Sequence, residues 1–358
     1  MNAYPENRRR AVAAGQGLAK HSGGFSLIEL MIAMVLGLVV IAGAGSVFLA
    51  SSRTYQTNQA LSDVQTNARV AFELLARDIR QAGLNGCNNN GRVANVLNNG
   101  PNNPSGYDPS QDWYTTWSNA VHGYDSTQTD PAVATGTAVN ERIATSDSIQ
   151  LLGIEGSGLS VASTPSSNSA NFKLNKTTTS LQSGDIIVVC DYDHAAIVQI
   201  TVQNSSNVEL VHNQGNKTSP GNCSKGLGYP TNCDGNGNGN GYTFDQNSQI
   251  AKFSAVDWFV GNNNDNGTSL FRTSVVNKAG VPTPTPQEMV RGVTGMKIAY
   301  HQAGNSSFLS AASITDWSAV DAVRVHLFVT SSDTRAGVGY KPIERDFWST
   351  TTIRNRVN

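Results

Sequence analysis

Residues 25–50, FSLIELMIAMVLGLVVIAGAGSVFLA, constrain this chain more than any other stretch. They hold one charge, Glu29, and no proline. At 1.5 Å per residue a helix of that length measures roughly 39 Å, more than the ~30 Å hydrocarbon core of a bilayer. A carboxylate five residues into such a segment costs about 2.5–3.5 kcal/mol on insertion scales, so its presence requires a reason. The preceding residues carry Arg8, Arg9, Arg10 and Lys20 against Glu6. That asymmetry keeps the N-terminus in the cytoplasm and sends the rest of the chain across the membrane.

Three readings compete for this stretch. A cleaved secretory signal has a shorter apolar core followed by a small-x-small site, which Ala42, Ala44 and Ser46 offer. The run here is longer and continues into a patterned helix. A plain membrane anchor fits the hydropathy alone. The junction separates the readings: Gly23 and Gly24 precede Phe25, and Glu29 stands fifth from the phenylalanine. This pattern resembles the class III signal of type IV prepilins. The resemblance implies a leader of residues 1–24, cleavage after Gly24 by a prepilin peptidase, methylation of the new Phe25 amine, and a docking role for Glu29.

The helix pattern outlasts the apolar run. Leu61, Val64, Ala68, Ala71, Leu75 and Ile79 recur at spacings of three and four and define one face, broadened by Phe72 and Leu74. Asp63, Gln65, Arg69, Glu73, Arg77 and Arg80 occupy the other, with Arg69–Glu73 and Glu73–Arg77 as i,i+4 pairs. Gly83 is the expected stop. One helix over 25–83 follows, apolar all round in its membrane half (25–50) and amphipathic in its second half. Gly37, Gly43 and Gly45 are points where the apolar half is able to bend. Residues 84–358 remain for an exported head, long enough for one large domain or two small ones.

A net charge of −1, with only 14% of residues charged, argues against a nucleic-acid surface built on bulk electrostatics. All four cysteines lie beyond the membrane segment, on the oxidising side, and admit three connectivities of two disulfides. We expect Cys87–Cys190, tying the helix end to a central strand, and Cys223–Cys233 as a local staple. There is no Cys-x-x-Cys pair to suggest zinc.

Strand signals follow at 148–154, 185–190 and 196–202, with 207–212 read as a continuation of the same meander. The Ser/Thr/Asn-rich stretch 160–180 reads as a loop. Asn262–Gly267 reads as the turn of a hairpin between 253–260 and 269–276. Pro282, Pro284 and Pro286 read as a stiff extended connector, and strands are expected at 296–301, 320–330 and 343–352. The segments LLARDIRQAGLNGC (74–87), GDIIVVCDYDHAAIVQIT (184–201), SLFR (269–272), VRGVTGMKIAY (290–300), VDAVRVHLFVTS (320–331) and STTTIRNRV (349–357), in this order after a prepilin signal, resemble the PilW-type minor pilins of type IV pilus systems.

Three clusters invite a chemical reading. Asp234, Asn236, Asn238, Gly239 and Asp245 fall at positions one, three, five, six and twelve of an EF-hand-style calcium loop. An alternating Gly-Asn tract produces that pattern readily, and the loop reading is preferred. Trp113, Tyr114 and Trp117 sit in an irregular region and read as a plug rather than a ligand platform. Asp191, Asp193 and His194 combine two carboxylates with an imidazole, but at a hairpin tip where turn chemistry accounts for the aspartates. No catalytic, cofactor or metal site is expected, and no enzyme.

The expected fold is therefore α+β and pilin-like: a long N-terminal helix packed on an antiparallel β-sheet head with long loops. By resemblance the chain is a minor structural subunit of a type IV pilus. It sits in the inner membrane as a single pass before assembly and in the periplasm and surface pilus afterwards. Its implied partners are the prepilin peptidase, other minor and major pilins through the helix, and an adhesin at the tip. Two other readings are a surface-binding module carried on a pilus, with a glycan or calcium as ligand, and a minor pseudopilin of a type II secretion system.

Overall fold

The computed structural model describes residues 24–84, 86–87, 91–165, 169–177, 179–204, 208–233, 236–354 and 356. Apart from Gly24, the basic leader lies outside the described residues. The chain divides into two compact units, the first ending at Tyr55 and the second beginning at Gln56.

Helix α1 (Leu27–Gln81) is continuous and passes through Gly37, Gly43 and Gly45 without interruption. Up to Tyr55 its side chains are almost all exposed, including Leu27, Val40 and Phe48. None of its most apolar window is buried within the chain. Beyond Tyr55 a stripe of Ala60, Val64, Ala68, Ala71, Leu75, Ala76 and Ile79 is buried. The expected stripe is reproduced except at its start, where Ala60 is buried and Leu61 half-buried against Ala336 and Ile343. Of the two expected ion pairs, Arg69–Glu73 forms, at 2.8 Å. Gly83 adopts φ +74°, the left-handed conformation that ends a helix at little cost, and its N–H reaches the Leu152 carbonyl at 2.7 Å.

Fifteen strands follow among the described residues. The first eight are β1 (Val93–Asn95), β2 (Val121–Tyr124), β3 (Ser148–Ser160), β4 (Asn171–Lys173), β5 (Ile186–Cys190), β6 (Ala195–Gln199), β7 (Val202–Asn204) and β8 (Glu209–Val211). The remainder are β9 (Gln249–Asn262), β10 (Thr268–Lys278), β11 (Val281–Arg291), β12 (Val293–Gln302), β13 (Phe308–Leu309), β14 (Val320–Thr330) and β15 (Glu344–Thr352). An eight-stranded sheet runs β1-β6-β5-β9-β10-β11, with β3 on the other edge of β9 and β2 beyond it. A four-stranded sheet runs β13-β12-β14-β15. The pairing is antiparallel apart from β1 with β6, which is parallel and makes the larger sheet mixed.

The helical stripe packs into one core with Trp258 and Val260 of β9, Leu270 of β10, Met296 and Ile298 of β12, and Val323, Val325 and Leu327 of β14. Both sheets thus bury their inner faces on the second half of α1. Strand β5 is buried on both faces, which is why it reads as the unbroken apolar run IIVVC. The two disulfides are Cys87–Cys190 and Cys223–Cys233, as expected.

Three strand expectations change. Residues 209–211 do not extend the β5–β6 meander but form a separate sheet of order β4-β8-β7. The 160–180 stretch contains β4, whose single buried side chain, Phe172, leaves no alternation to detect in three residues. The proline connector is strand β11, at the edge of the large sheet. Pro282, Pro284 and Pro286 stand opposite Asn277, Val275 and Thr273, every second position. Alternate residues of an edge strand turn their N–H outward, so proline fits there without losing a ladder bond, and it blunts the edge.

Candidate processing and assembly site

The predicted cleavage point is open among the described residues. A side chain added at Gly24 would meet nothing within 4 Å, and Phe25 is 87% exposed. A substitution at Gly24 therefore has no neighbouring side chain to displace among the described residues. Four residues on, Glu29 is engaged. The Ser26 N–H donates to Glu29 Oε2 at 3.0 Å, and the Glu29 N–H donates to Ser26 Oγ at 3.2 Å. The Ser26 carbonyl accepts from Leu30 N–H at 3.1 Å. Ser26 is thus the N-cap and Glu29 the third helical residue of a capping box, in which two otherwise orphaned N–H groups are satisfied reciprocally. The Ser-x-x-Glu spacing is legible in the sequence, and the other group near enough to meet Glu29 is the Phe25 nitrogen. In the uncleaved chain that nitrogen is a neutral amide, and Ser26 supplies the partner.

A second feature escaped sequence reading. Asp78 Oδ2 accepts from Trp258 Nε1 at 2.9 Å and from Arg272 Nε at 2.7 Å, with the Arg272 guanidinium 6.0 Å from the Trp258 ring centre. Asp78 belongs to the LLARDIRQAGLNGC segment and Arg272 to SLFR, so two of the family-like segments meet at one ion pair. Beside Trp258, Asp257 is fully buried and faces Asp130, and burial pushes its carboxyl well above the usual range. Asp130 accepts from Gln150 Nε2 at 2.7 Å and from the Ser148 hydroxyl. Arg142, also buried, donates to the Gln128 and Ser146 carbonyls at 2.6 and 3.3 Å.

The Asp191 cluster and the aromatic trio are engaged in structural contacts. Asp191 Oδ1 accepts from the N–H groups of Asp193 and His194 at 2.9 and 2.8 Å, an Asx turn at the β5–β6 tip. The His194 Nε2 accepts from Tyr229 N–H at 3.1 Å, so Nδ1 carries the proton and donates to Asp193 Oδ2 at 2.8 Å. Arg92 pairs with Asp193, and the Tyr242 hydroxyl donates to Asp191 at 2.8 Å. Trp113 and Tyr114 are buried, and Trp117 packs on Phe253 with ring centres 5.8 Å apart, the plug expected. Of the calcium-loop positions, Asp234 lies outside the described residues, and Asp245 accepts from the Thr164 hydroxyl at 3.2 Å. Asn236 and Asn238 lie in a segment where Gly237 and Gly239 take positive φ. No group of three His, Cys, Asp or Glu among the described residues is arranged to hold a metal.

Comparison with known proteins agrees with this geometry at both ends. Residues 19–45 match the prokaryotic N-terminal methylation motif, which covers Gly24, Phe25 and Glu29. Residues 257–346, from the end of β9 into β15, match type IV pilus-assembly protein W, a structural pilus-assembly family and not an enzyme family. No curated protein matches the sequence. The methylation motif and apolar helix are consistent with membrane anchoring followed by a place in a pilus. Together the two matched segments support a type IV pilus-related minor pilin.

Proposed function

We propose that this chain is a minor structural subunit that takes part in starting or capping a type IV pilus. The apolar half of α1 holds it in the inner membrane as a single pass, and the basic leader keeps its N-terminus cytoplasmic. A prepilin peptidase cuts after Gly24, and the new Phe25 amine is methylated. Glu29 then exchanges its capping partner, Ser26, for an amine in the low-dielectric filament core, its own or a neighbouring subunit's. The domain boundaries follow from the same reading: 1–24 leader, 25–83 helix with 25–50 in the membrane and then the filament, 84–358 exported head.

The observation that carries this proposal is the first half of α1. It is apolar all round and unburied within the chain, directly after a cleavage motif. Heterologous head-to-tail contacts through one repeated helix build an open filament and bury that surface. Partners are accordingly the peptidase and other minor and major pilins, with an adhesin as the tip partner.

The test is incorporation. Glu29→Ala is expected to insert and be cleaved normally but to fall at least fivefold in sheared filaments relative to wild type. Recovery at wild-type levels removes the docking role from Glu29.

A further inference from the structure

The head leaves the edges of its sheets in different states. Strand β11 carries Pro282, Pro284 and Pro286 along its length, and β13 is only two residues long. Such devices keep an edge from pairing with another chain. Strand β15 has neither. It pairs with β14 over nine residues without a bulge, and no described strand lies beyond it. At its two ends the Ser331 N–H donates to the Ile343 carbonyl at 2.9 Å, and the Ile353 N–H to the Asp321 carbonyl at 2.8 Å. Carried along the antiparallel register, this alternation points the backbone of Arg345, Phe347, Ser349 and Thr351 at β14. Asp346, Trp348 and Thr350 therefore turn their N–H and C=O outward, where no other described residue bonds them. The Trp348 side chain is 62% exposed and stacks on His326, with ring centres 3.5 Å apart.

The chemistry along this edge is graded. Glu344 and Asp346 stand at its start, and Trp348, Thr350 and Thr352 continue the same face without charge. Beside the acidic end, a cleft of about 550 Å³ runs from Thr294 and Lys297 of β12 past Phe328 to Glu344 and Asp346. That volume lies within the ~300–1,000 Å³ of pockets that take up ligands. Lys297 is already paired with Asp147 at 3.0 Å, and Arg345 Nη1 donates to the Glu344 carbonyl at 3.0 Å. Asp346 meets the His326 ring through Oδ2 at 3.0 Å, and its side chain stays 58% exposed. The acidic end of β15 thus faces outward beside the cleft.

We propose that the outer edge of β15 receives an extended segment of a different protein, added antiparallel as a further strand of this sheet. Main-chain hydrogen bonds to Asp346, Trp348 and Thr350 hold the segment, and its alternate side chains decide which partner fits. It carries uncharged β-branched or aromatic side chains past Thr350 and Trp348. In its C-terminal half it carries Lys or Arg past Asp346 and Glu344. A second copy of this chain does not fit. Pairing β15 with itself needs a two-fold axis perpendicular to the sheet. That axis reverses α1, whose second half packs on the sheet. Two copies anchored in one membrane keep that helix in the same direction. This exclusion rests on the single-pass anchoring proposed above; the unpaired edge does not.

The experiment uses the full-length chain in detergent micelles and synthetic peptides matched to β15 in length. One alternates valine and threonine, with two lysines in its C-terminal half. The second has glutamates in place of the lysines, and the third has the lysines in its N-terminal half. The first is expected to bind, read by fluorescence anisotropy, and to slow amide exchange across residues 344–352. The other two should bind at least tenfold more weakly. Thr350→Pro removes an outward N–H but no ladder bond, so it should weaken binding at least tenfold and leave the melting temperature unchanged. Asp346→Lys should reverse the preference between the lysine and glutamate peptides, and it decides the matter if Thr350→Pro fails to fold. The proposal is overturned if the first peptide does not bind, or binds without slowing exchange across 344–352. It is equally overturned if a folded Thr350→Pro binds as wild type does, if Asp346→Lys leaves the preference unchanged, or if raising the concentration of the chain alone protects 344–352. None of these outcomes touches cleavage at Gly24 or the incorporation of Glu29→Ala, so the pilus reading stands or falls separately.

Discussion

The two halves of α1 are one continuous helix built on opposite principles. From Gln56 onward the apolar residues form a stripe, and Val64, Ala71 and Leu75 are buried against two sheets. Before Tyr55 they cover every side, and none of the most apolar window is buried. Burying a large apolar side chain is worth about 1.5–3 kcal/mol. The exposed Leu, Ile, Val, Met and Phe residues of the first half therefore represent transfer free energy on the order of 20–40 kcal/mol, more than the ~5–15 kcal/mol by which whole domains are stable. The first half is specified by surroundings the chain does not contain, the second by its own head. A chain meant to remain a membrane anchor has no need of the cleavage motif that opens the first half.

The largest effect expected in the second half is loss of Cys87–Cys190, which joins the end of α1 to β5 across 103 residues. Chain-entropy estimates assign a loop of that size about 4–5 kcal/mol. A combined Cys87→Ser, Cys190→Ser variant should lower the head's melting temperature by considerably more than the equivalent change at Cys223 and Cys233, ten residues apart. Equal shifts for the two variants would mean that the helix end is held by packing alone.

Paired substitutions sharpen the contrast. Leu75→Ala removes a fully buried side chain and should cost about 2–5 kcal/mol in chemical denaturation of the head. Val40→Arg should leave that denaturation curve unchanged and instead add about 2.5–3.5 kcal/mol to membrane insertion, read as a loss of membrane-fraction protein. If Val40→Arg destabilised the head, or Leu75→Ala blocked insertion, the division of labour along α1 would be lost.

Much of this was legible because it rests on periodicity. The stripe on α1, the 262–267 turn and strands β5, β10, β14 and β15 all declare themselves through spacing and turn residues. What escaped depends on distant partners. Asp78 lies between Arg77 and Ile79 and reads as a solvated charge until Trp258 and Arg272 arrive from the sheet. Asp257 was the more visible omission, since an acidic residue inside AVDWFV breaks an apolar run and so signals a buried polar group. Strands β4 and β8 are too short to carry an alternation. At the candidate site Gly24, Phe25 and Glu29 came from the motif, whereas Ser26 was present in the same motif and unused.

Asp257 yields a smaller, pH-dependent effect confined to the head. Its folded carboxyl is held above the unfolded value. The stability it contributes is therefore fully present below the unfolded range near pH 4 and is lost as pH rises through the folded value. Asp257→Asn removes that loss, because the introduced amide does not ionise at any pH. It should be more stable than wild type by about 1–3 kcal/mol at pH 8, with the difference shrinking toward pH 4. A constant difference across that range contradicts the assigned ionisation.

The smallest effect tests the capping box. Ser26→Ala should cost about 0.5–2 kcal/mol of local helix stability, visible as faster amide exchange at residues 27–30 in detergent, with no change in the head. Unchanged exchange would mean that Ser26 does not hold Glu29.

The most direct measurement is the mass of the mature N-terminal peptide from membrane and pilus fractions. The account predicts a peptide beginning at Phe25, carrying one added methyl group, and absent when Gly24 is replaced by a bulky residue, which leaves the leader attached. An N-terminus near Ala44 or Ser46, or an uncleaved leader in the wild-type filament fraction, would contradict it.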